Sequence, residues 1–267
     1  MKPVPGAVER TVQQRSPRGS NERRDAVADE IPVALHYNDA PFAVLMATPC
    51  DLADLALGFS LSEGIVEAPG DVRIDGIGES VDGIAIRMTI PGTNANALEN
   101  RRRNLPGHGG CGVCGSASIE SVLRVPPVVA SGLRIDENAL HRALAQLQER
   151  QPLNAATGAT HAAGFADTHG ELLLVREDVG RHNALDKLIG AMASGDIDPA
   201  SGFAIVTSRA SYELAMKAAQ AGIPLLAAIS APTSLAIALA ESAKLCLIGF
   251  ARDSHCGVYA HAERLAR

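Results

Sequence analysis

The sequence predicts an α/β protein in two parts: a small α+β domain over residues 31–132, then an α/β domain over residues 133–267. Three observations carry this expectation. Beyond residue 136, short continuous apolar runs alternate with helix-length segments, as in a parallel sheet covered on both faces. Before residue 91, apolar runs are joined by turn residues, as in hairpins. Between them, residues 91–115 are rich in Asn, Gly and Arg, lack an apolar period, and read as a loop.

The elements follow in order. Residues 1–30 carry Arg10, Arg15, Arg18, Arg23 and Arg24 among Pro, Gly, Ser and Gln, and read as a disordered extension. Residues 31–37 and 41–47 are the strands of a hairpin around the turn signal Asn38-Asp39. Leu52, Leu55, Ala56 and Phe59 recur at helical spacing, with Asp51 placed to cap the helix and Gly64 to end it. Residues 84–90 read as a strand, and residues 116–123 as the opening of a short helix. Asp136 or its neighbour begins a helix with Leu140, Leu144 and Leu147 on one face. Strands at 172–175, 203–207, 224–229 and 245–250 then alternate with helices at 184–193, 212–221 and 234–243.

Composition narrows the classes of function. A net charge of −6 argues against wholesale binding to nucleic acid. No apolar run approaches the ~18 residues that would suggest a membrane span. Residues 1–30 lack the apolar segment of a signal peptide, so a cytosolic location with five reduced thiols is expected.

The polar residues gather after the expected strands. Residues 176–183 (REDVGRHN) follow the first, with Arg181, His182 and Asn183 at its end. Ser208, Arg209 and Ser211 follow the second, Thr233 and Ser234 the third, and Arg252, Asp253, Ser254 and His255 the fourth. In a parallel sheet these loops share the carboxyl edge, where ligands bind. Helix N-termini attract anions, and guanidinium forks suit phosphate. A phosphate-bearing ligand is the reading. The ordinary alternative is that Ser211, Thr233 and Ser234 merely cap helices. That alternative is weaker for Arg181-His182-Asn183, because two cationic or titratable groups beside a helix N-terminus oppose its dipole. Glu177 and Asp178 could orient Arg181 or His182, or pair with Arg176.

Cys111-Gly112-Val113-Cys114 holds two thiols three residues apart between glycines. Such a backbone lets another molecule approach closely. A zinc site usually needs four ligands, and there is one pair, with Cys50, Cys256, His108, His161 and His255 scattered and Cys246 in an expected core strand. A thioredoxin-like role needs a strand–helix junction, which the glycine-rich setting resembles poorly. Sulfur carriage as a persulfide fits best, since it needs an exposed, partly ionised thiol on a mobile loop. The neighbouring run Arg101-Arg102-Arg103 reads either as a solvated loop or as charge that lowers a thiol pKa.

The residues as a set resemble the formate dehydrogenase accessory sulfurtransferase FdhD family. The resemblance runs from about residue 31 to 259 and is carried by CGVCG at 111–115, TGATHAA at 157–163, REDVGRHNALDKLIG at 176–190, SRASYE at 208–213, AGIP at 221–224 and SAPTSLA at 230–236. It implies a protein that takes sulfur from a cysteine desulfurase and passes it to the molybdenum cofactor, in its bis-molybdopterin guanine dinucleotide form, for formate dehydrogenase. It implies Cys111 as the persulfide-bearing residue with Cys114 assisting. It implies Phe250, Ala251, Arg252, Asp253, Ser254 and His255 as cofactor-binding. The implied fold is a small N-terminal domain joined to a cytidine-deaminase-like three-layer α/β domain, usually as a homodimer. Deaminase chemistry is not implied, because H-x-E followed by P-C-x-x-C is missing. The competing function is a non-catalytic chaperone that shields the cofactor and docks it on formate dehydrogenase. A zinc-dependent hydrolase or deaminase is a third.

Overall fold

The computed structural model describes residues 4–17, 19–80, 82–94, 125–252 and 255–266. The expected disorder at the start is overturned. Strands β1 (Ala7–Ser16) and β2 (Gly19–Ala28) form an antiparallel ribbon in continuous register from Ala7↔Ala28 to Ser16↔Gly19. Its charges pair locally, Arg24 with Glu9 at 3.1 Å and Arg23 with Asp25 at 3.0 Å. The backbone ladder needs no apolar face, so composition alone misread it. The ribbon is seated at its base, where Gly6 adopts φ +80°: a methyl group there would fall 2.5 Å from Thr48 Cγ2.

Strands β3 (Ile31–Tyr37) and β4 (Ala40–Ala47) form the expected hairpin. Asn38 and Asp39 take positive φ at its turn, as Asn and Asp tolerate. Asn38 also exchanges two hydrogen bonds with the Ile90 backbone, which ties the turn to the end of the strand that pairs in parallel with β3. With β5 (Arg73–Ser80) and β6 (Gly83–Thr89) the sheet order is β4-β3-β6-β5. Helix α1 (Leu52–Ser62) covers its inner face, burying Leu55 against Val33, Leu35, Ile86 and Met88. Asp51 is not the cap expected of it. It sits at φ 52° and its side chain makes no capping bond.

The second part begins with β7 (Ile135–Asp136), paired to β14 (Leu265–Ala266), and α2 (Glu137–Glu149). Asp136 caps α2 by accepting from Asn138 N at 2.6 Å. There follow α3 (Pro152–Thr157), β8 (His161–Asp167), β9 (Leu172–Asp178), α4 (Arg181–Ser194), β10 (Gly202–Val206), α5 (Tyr212–Gln220), β11 (Leu225–Ala228), α6 (Ser234–Ala243), β12 (Cys246–Arg252) and β13 (His255–Ala260). The sheet order is β13-β12-β11-β10-β8-β9. It is mixed rather than parallel. Strands β10, β11 and β12 are parallel, but β8 is antiparallel to both β9 and β10, and β13 is antiparallel to β12.

Two antiparallel steps across β8 restore direction, so β9 runs the same way as β10, β11 and β12. Their carboxyl ends therefore share one edge, as the sequence suggested. Every crossover from β9 through β12 moves the same way along the sheet. Right-handed connections then place α4, α5 and α6 on one face. That face buries Leu185, Leu188, Leu214 and Leu239. Helix α2 covers the other with Leu140, Ala143 and Leu147, making three layers. No helix among the described residues is long and apolar enough to cross a membrane.

Candidate functional site

The shared edge is a set of loops laced together by backbone bonds. Ala210 N donates to Ala231 O, Thr233 N to Ala210 O, and Phe250 N to Ser230 O. The turns after β10 and β11 and the end of β12 thus form one continuous rim. Because β8 runs the opposite way, its first residue, His161, lies on the same edge, paired with Asp178.

Several polar residues of the loop after β9, among them the expected ligand-binding residue Asn183, are already committed to the fold. Asp178 accepts from Thr48 N at 3.0 Å and from Gly180 N at 2.7 Å, and pairs with Lys187 Nζ at 2.7 Å. Asn183 donates to Met46 O and to Asp178, so it fastens α4 to β4 rather than facing a ligand. Glu177 accepts from Leu153 N, Asn154 N and Thr160 Oγ1, holding the first turn of α3. Arg176 pairs with Asp54 of α1 at 2.8 Å. Glu177 and Asp178 therefore orient neither Arg181 nor His182. Their partners are distant in sequence, which is why local reading missed them.

Other candidates remain available. Arg181 and His182 occupy the first turn of α4, whose N-cap, Gly180, supplies no side-chain bond. Arg181 Nε and His182 Nε2 are buried without a hydrogen-bond partner. Burial pushes the His182 pKa down to about 4, helped by the Arg181 and Lys217 cations. His161 is lowered in the same way, by burial and then by Arg181. Glu213, at 3.9 Å from His182 Nε2, closes this group. Burial raises Glu213, but the Ser211 hydroxyl, its own backbone N–H and the His182 and Arg181 charges outweigh burial and lower it. His161 and Glu213 were not singled out from sequence as binding residues. Their signal lay inside the THAA and SYE segments that flank better-known residue types.

Ser211 is the N-cap of α5 but makes no capping bond, whereas Thr233 caps α6 by accepting from Ala236 N at 3.3 Å. The capping alternative holds for Thr233 alone of these two. Ser234 and Arg209 are exposed, and Ser208 Oγ is turned to the Arg209 carbonyl at 3.1 Å. Along the last stretch, Phe250 is 43% exposed at φ 51°, Ala251 is buried, and Arg252 and His255 pair as exposed neighbours. Asp253, Ser254, Cys111, Cys114 and Arg101 to Arg103 lie outside the described residues. Among described cysteines, Cys246 is core, its thiol pushed up to about 12 by burial, and burial also raises Cys50 and Cys256. A cavity of about 360 Å³ lies at the opposite ends of α4 and α5, lined by Leu61, Val66, Ile189, Met192 and Ile197, away from this edge.

Comparison with known proteins gives a consistent result. Residues 28–266 match the sequence model of the FdhD/NarQ family. The chain is 63% identical over 261 residues to the sulfur carrier protein FdhD of Xanthomonas campestris pv. campestris strain B100, covering 98% of this chain and 93% of that one. It is 49% identical over 247 residues to the sulfur carrier protein FdhD of Bordetella petrii, covering 92% and 89%. In three dimensions it is similar to a crystal structure described as a formate dehydrogenase accessory protein from Desulfotalea psychrophila. The TM-score is 0.76 at 23% identity, over 98% of this chain and 100% of that one. At that identity the likeness concerns the fold.

Proposed function

Because the chain belongs to the FdhD/NarQ family, we propose that it is a sulfur carrier serving formate dehydrogenase. The observation that carries this is the 63% identity, nearly end to end, to relatives named sulfur carrier protein FdhD. In this reading the Cys111 thiolate attacks the terminal sulfur of a cysteine desulfurase persulfide. One S–S bond forms, the donor's S–S bond breaks, and the donor thiolate leaves with its electron pair. Cys111 then carries the persulfide. The acceptor is the molybdenum cofactor in its bis-molybdopterin guanine dinucleotide form, bound as client. If Cys114 expels the outer sulfur as hydrosulfide, a Cys111–Cys114 disulfide results and a dithiol reductant must reopen it.

The rim formed by the turns after β9, β10 and β11 and the end of β12 supports the client half of the proposal. It offers Arg209, Arg252, Ser234 and His255 at the surface and two helix N-termini behind them, a setting suited to phosphate groups. A cytosolic homodimer is the form in which we expect the protein to act.

Intact-mass spectrometry tests the carrier role. After incubation with a cysteine desulfurase and cysteine, the chain should gain one sulfur, labile to reductant and lost in Cys111→Ala. No gain, with the desulfurase active on another acceptor, would leave the chaperone role.

A further inference from the structure

Among the described residues, strands β1 and β2 pair only with each other, so both outer edges of the ribbon are free. Each strand has 10 residues and spans roughly 33 Å, and most side chains on both faces are exposed. The ribbon is tied to the body at its base: Gly6 sits against Thr48, Asp29 N donates to Gly6 O at 2.8 Å, and α3 packs beside it. A two-stranded ribbon is marginal in water by itself, and each free edge carries a row of unpaired N–H and C=O groups. Such a ribbon is completed by a third strand.

Charge distinguishes its two edges. Arg23 and Arg24 of β2 are neutralised, by Asp25 and by Glu9. Glu9 is the one carboxylate of β1, so that pairing consumes it. Arg10 keeps no anionic partner among the described residues, and Arg15 bonds the Gln13 side chain instead. β1 is thus a basic edge on a chain of net charge −6. The same chain carries a free edge of opposite sign. β5 ends the first sheet, with β6 on one side and no described strand on the other. Along and beside it, Glu67, Asp71, Asp75, Glu79 and Asp82 stand against Arg73 alone. Ile77 and Glu79 share a face and are both exposed, Ile77 at 42%. Arg10 and Val12 of β1 have the same two-residue spacing.

We infer that β1 of one copy adds as a strand to β5 of a second copy, the two ribbons being exchanged about a two-fold axis. This rests on the reading that the chain acts as a homodimer, and it names the surfaces that meet. Edge pairing joins two backbone ladders, sets Arg10 and Arg15 against Glu79 and its neighbours, and covers Val12 and Ile77. A two-fold axis makes the contact twice and leaves neither edge free, so the assembly closes. Nucleic acid is the poorer match for the basic edge, because the rest of the chain would repel it.

Sedimentation velocity on the full chain tests this with two charge reversals: Arg10→Glu with Arg15→Glu, and Glu67→Lys with Glu79→Lys. Each reversal alone sets like charges face to face and should raise the dimer dissociation constant about tenfold or more. Mixed in equal amounts, the two variants should dimerise again, because each ribbon then meets an edge of opposite sign. Hydrogen exchange gives a second readout. The amides of Ala7–Ser16 that point away from β2 should be protected in the dimer and lose protection on dilution. A wild-type chain that stays monomeric overturns the homodimer reading and this inference with it. Three results overturn the ribbon exchange alone and spare the homodimer: a dimer that neither variant weakens, a mixture no tighter than its components, or outward β1 amides that exchange freely in the dimer.

Discussion

Gly58 of α1 and Gly190 of α4 lie back to back. A methyl group on Gly58 would fall 1.7 Å from the Asp186 carbonyl oxygen, and one on Gly190 1.9 Å from that of Asp54. Both obstacles are backbone, so no side chain can turn aside. Helices α1 and α4 are joined at the distance that glycine permits.

Gly58→Ala or Gly190→Ala should therefore push α1 off α4 and destabilise the protein by about 2–3 kcal/mol, the scale of overpacking. The urea midpoint would show it. Gly70→Ala, where a methyl group meets nothing within 4 Å, is the control. Equal midpoints for all three would mean that the helices part easily.

Lys187 and Asp178 form a fully buried ion pair at 2.7 Å, with Lys187 also donating to Thr48 O at 3.0 Å. Lys187→Met should cost about 3–5 kcal/mol, because it strands a buried carboxylate. Adding Asp178→Asn should recover part of that loss, since it removes the stranded charge. A double-mutant cycle measures the coupling, and additive losses would contradict it.

Asp186 and His182 act on stability in opposite senses across one pH range. Burial raises Asp186 to about 6, against the lowering effect of Lys217 and Ser62. Folded Asp186 keeps a proton that the unfolded chain loses near pH ~4, so its contribution is present below that and is lost as pH rises through the folded value. His182 is depressed to about 4 by burial. Its contribution is present above about 6.5 and is lost as pH falls through the folded value. Asp186→Asn should leave a melting temperature that climbs more steeply from pH ~4 to ~6, and His182→Gln one that climbs less or falls. Wild-type and both variants sharing one profile would rule this out.

Thr233 and Ser211 begin α6 and α5, but only Thr233 caps. Thr233→Ala should cost about 1 kcal/mol, and Ser211→Ala should be near neutral for stability. Thermal melts of the two variants decide the matter. A comparable loss in Ser211→Ala would make it a structural residue.

Much of the architecture was legible because its causes are local. Asn38-Asp39 specified a hairpin, the start of α2 was marked at or beside Asp136, and the apolar spacing of residues 234–243 marked α6 to the residue. The rim of polar turns also followed from sequence, because strand–turn–helix order is written along the chain. The ribbon β1–β2 was not legible, since backbone bonds hold it and its side chains are mostly polar and exposed. Nor was β8, whose short, Ala-rich run HAAGFAD reveals no partner until β9 and β10 flank it.

For the site, the sequence by itself determined which chemistry was on offer: a CxxC thiol pair and turns bearing arginine, histidine and hydroxyl groups. Only the tertiary structure decided how those turns are used. Glu177, Asp178 and Asn183 look as available as Arg181 and His182 in the linear order. In the fold the first three are held by Leu153, Thr48 and Met46, residues 24 to 137 positions away. Arg181 and His182 keep unmet donors beside Ser211 and Glu213. A hydrogen bond consumes a polar group wherever its partner lies, and partners that far apart meet only when the chain closes on itself.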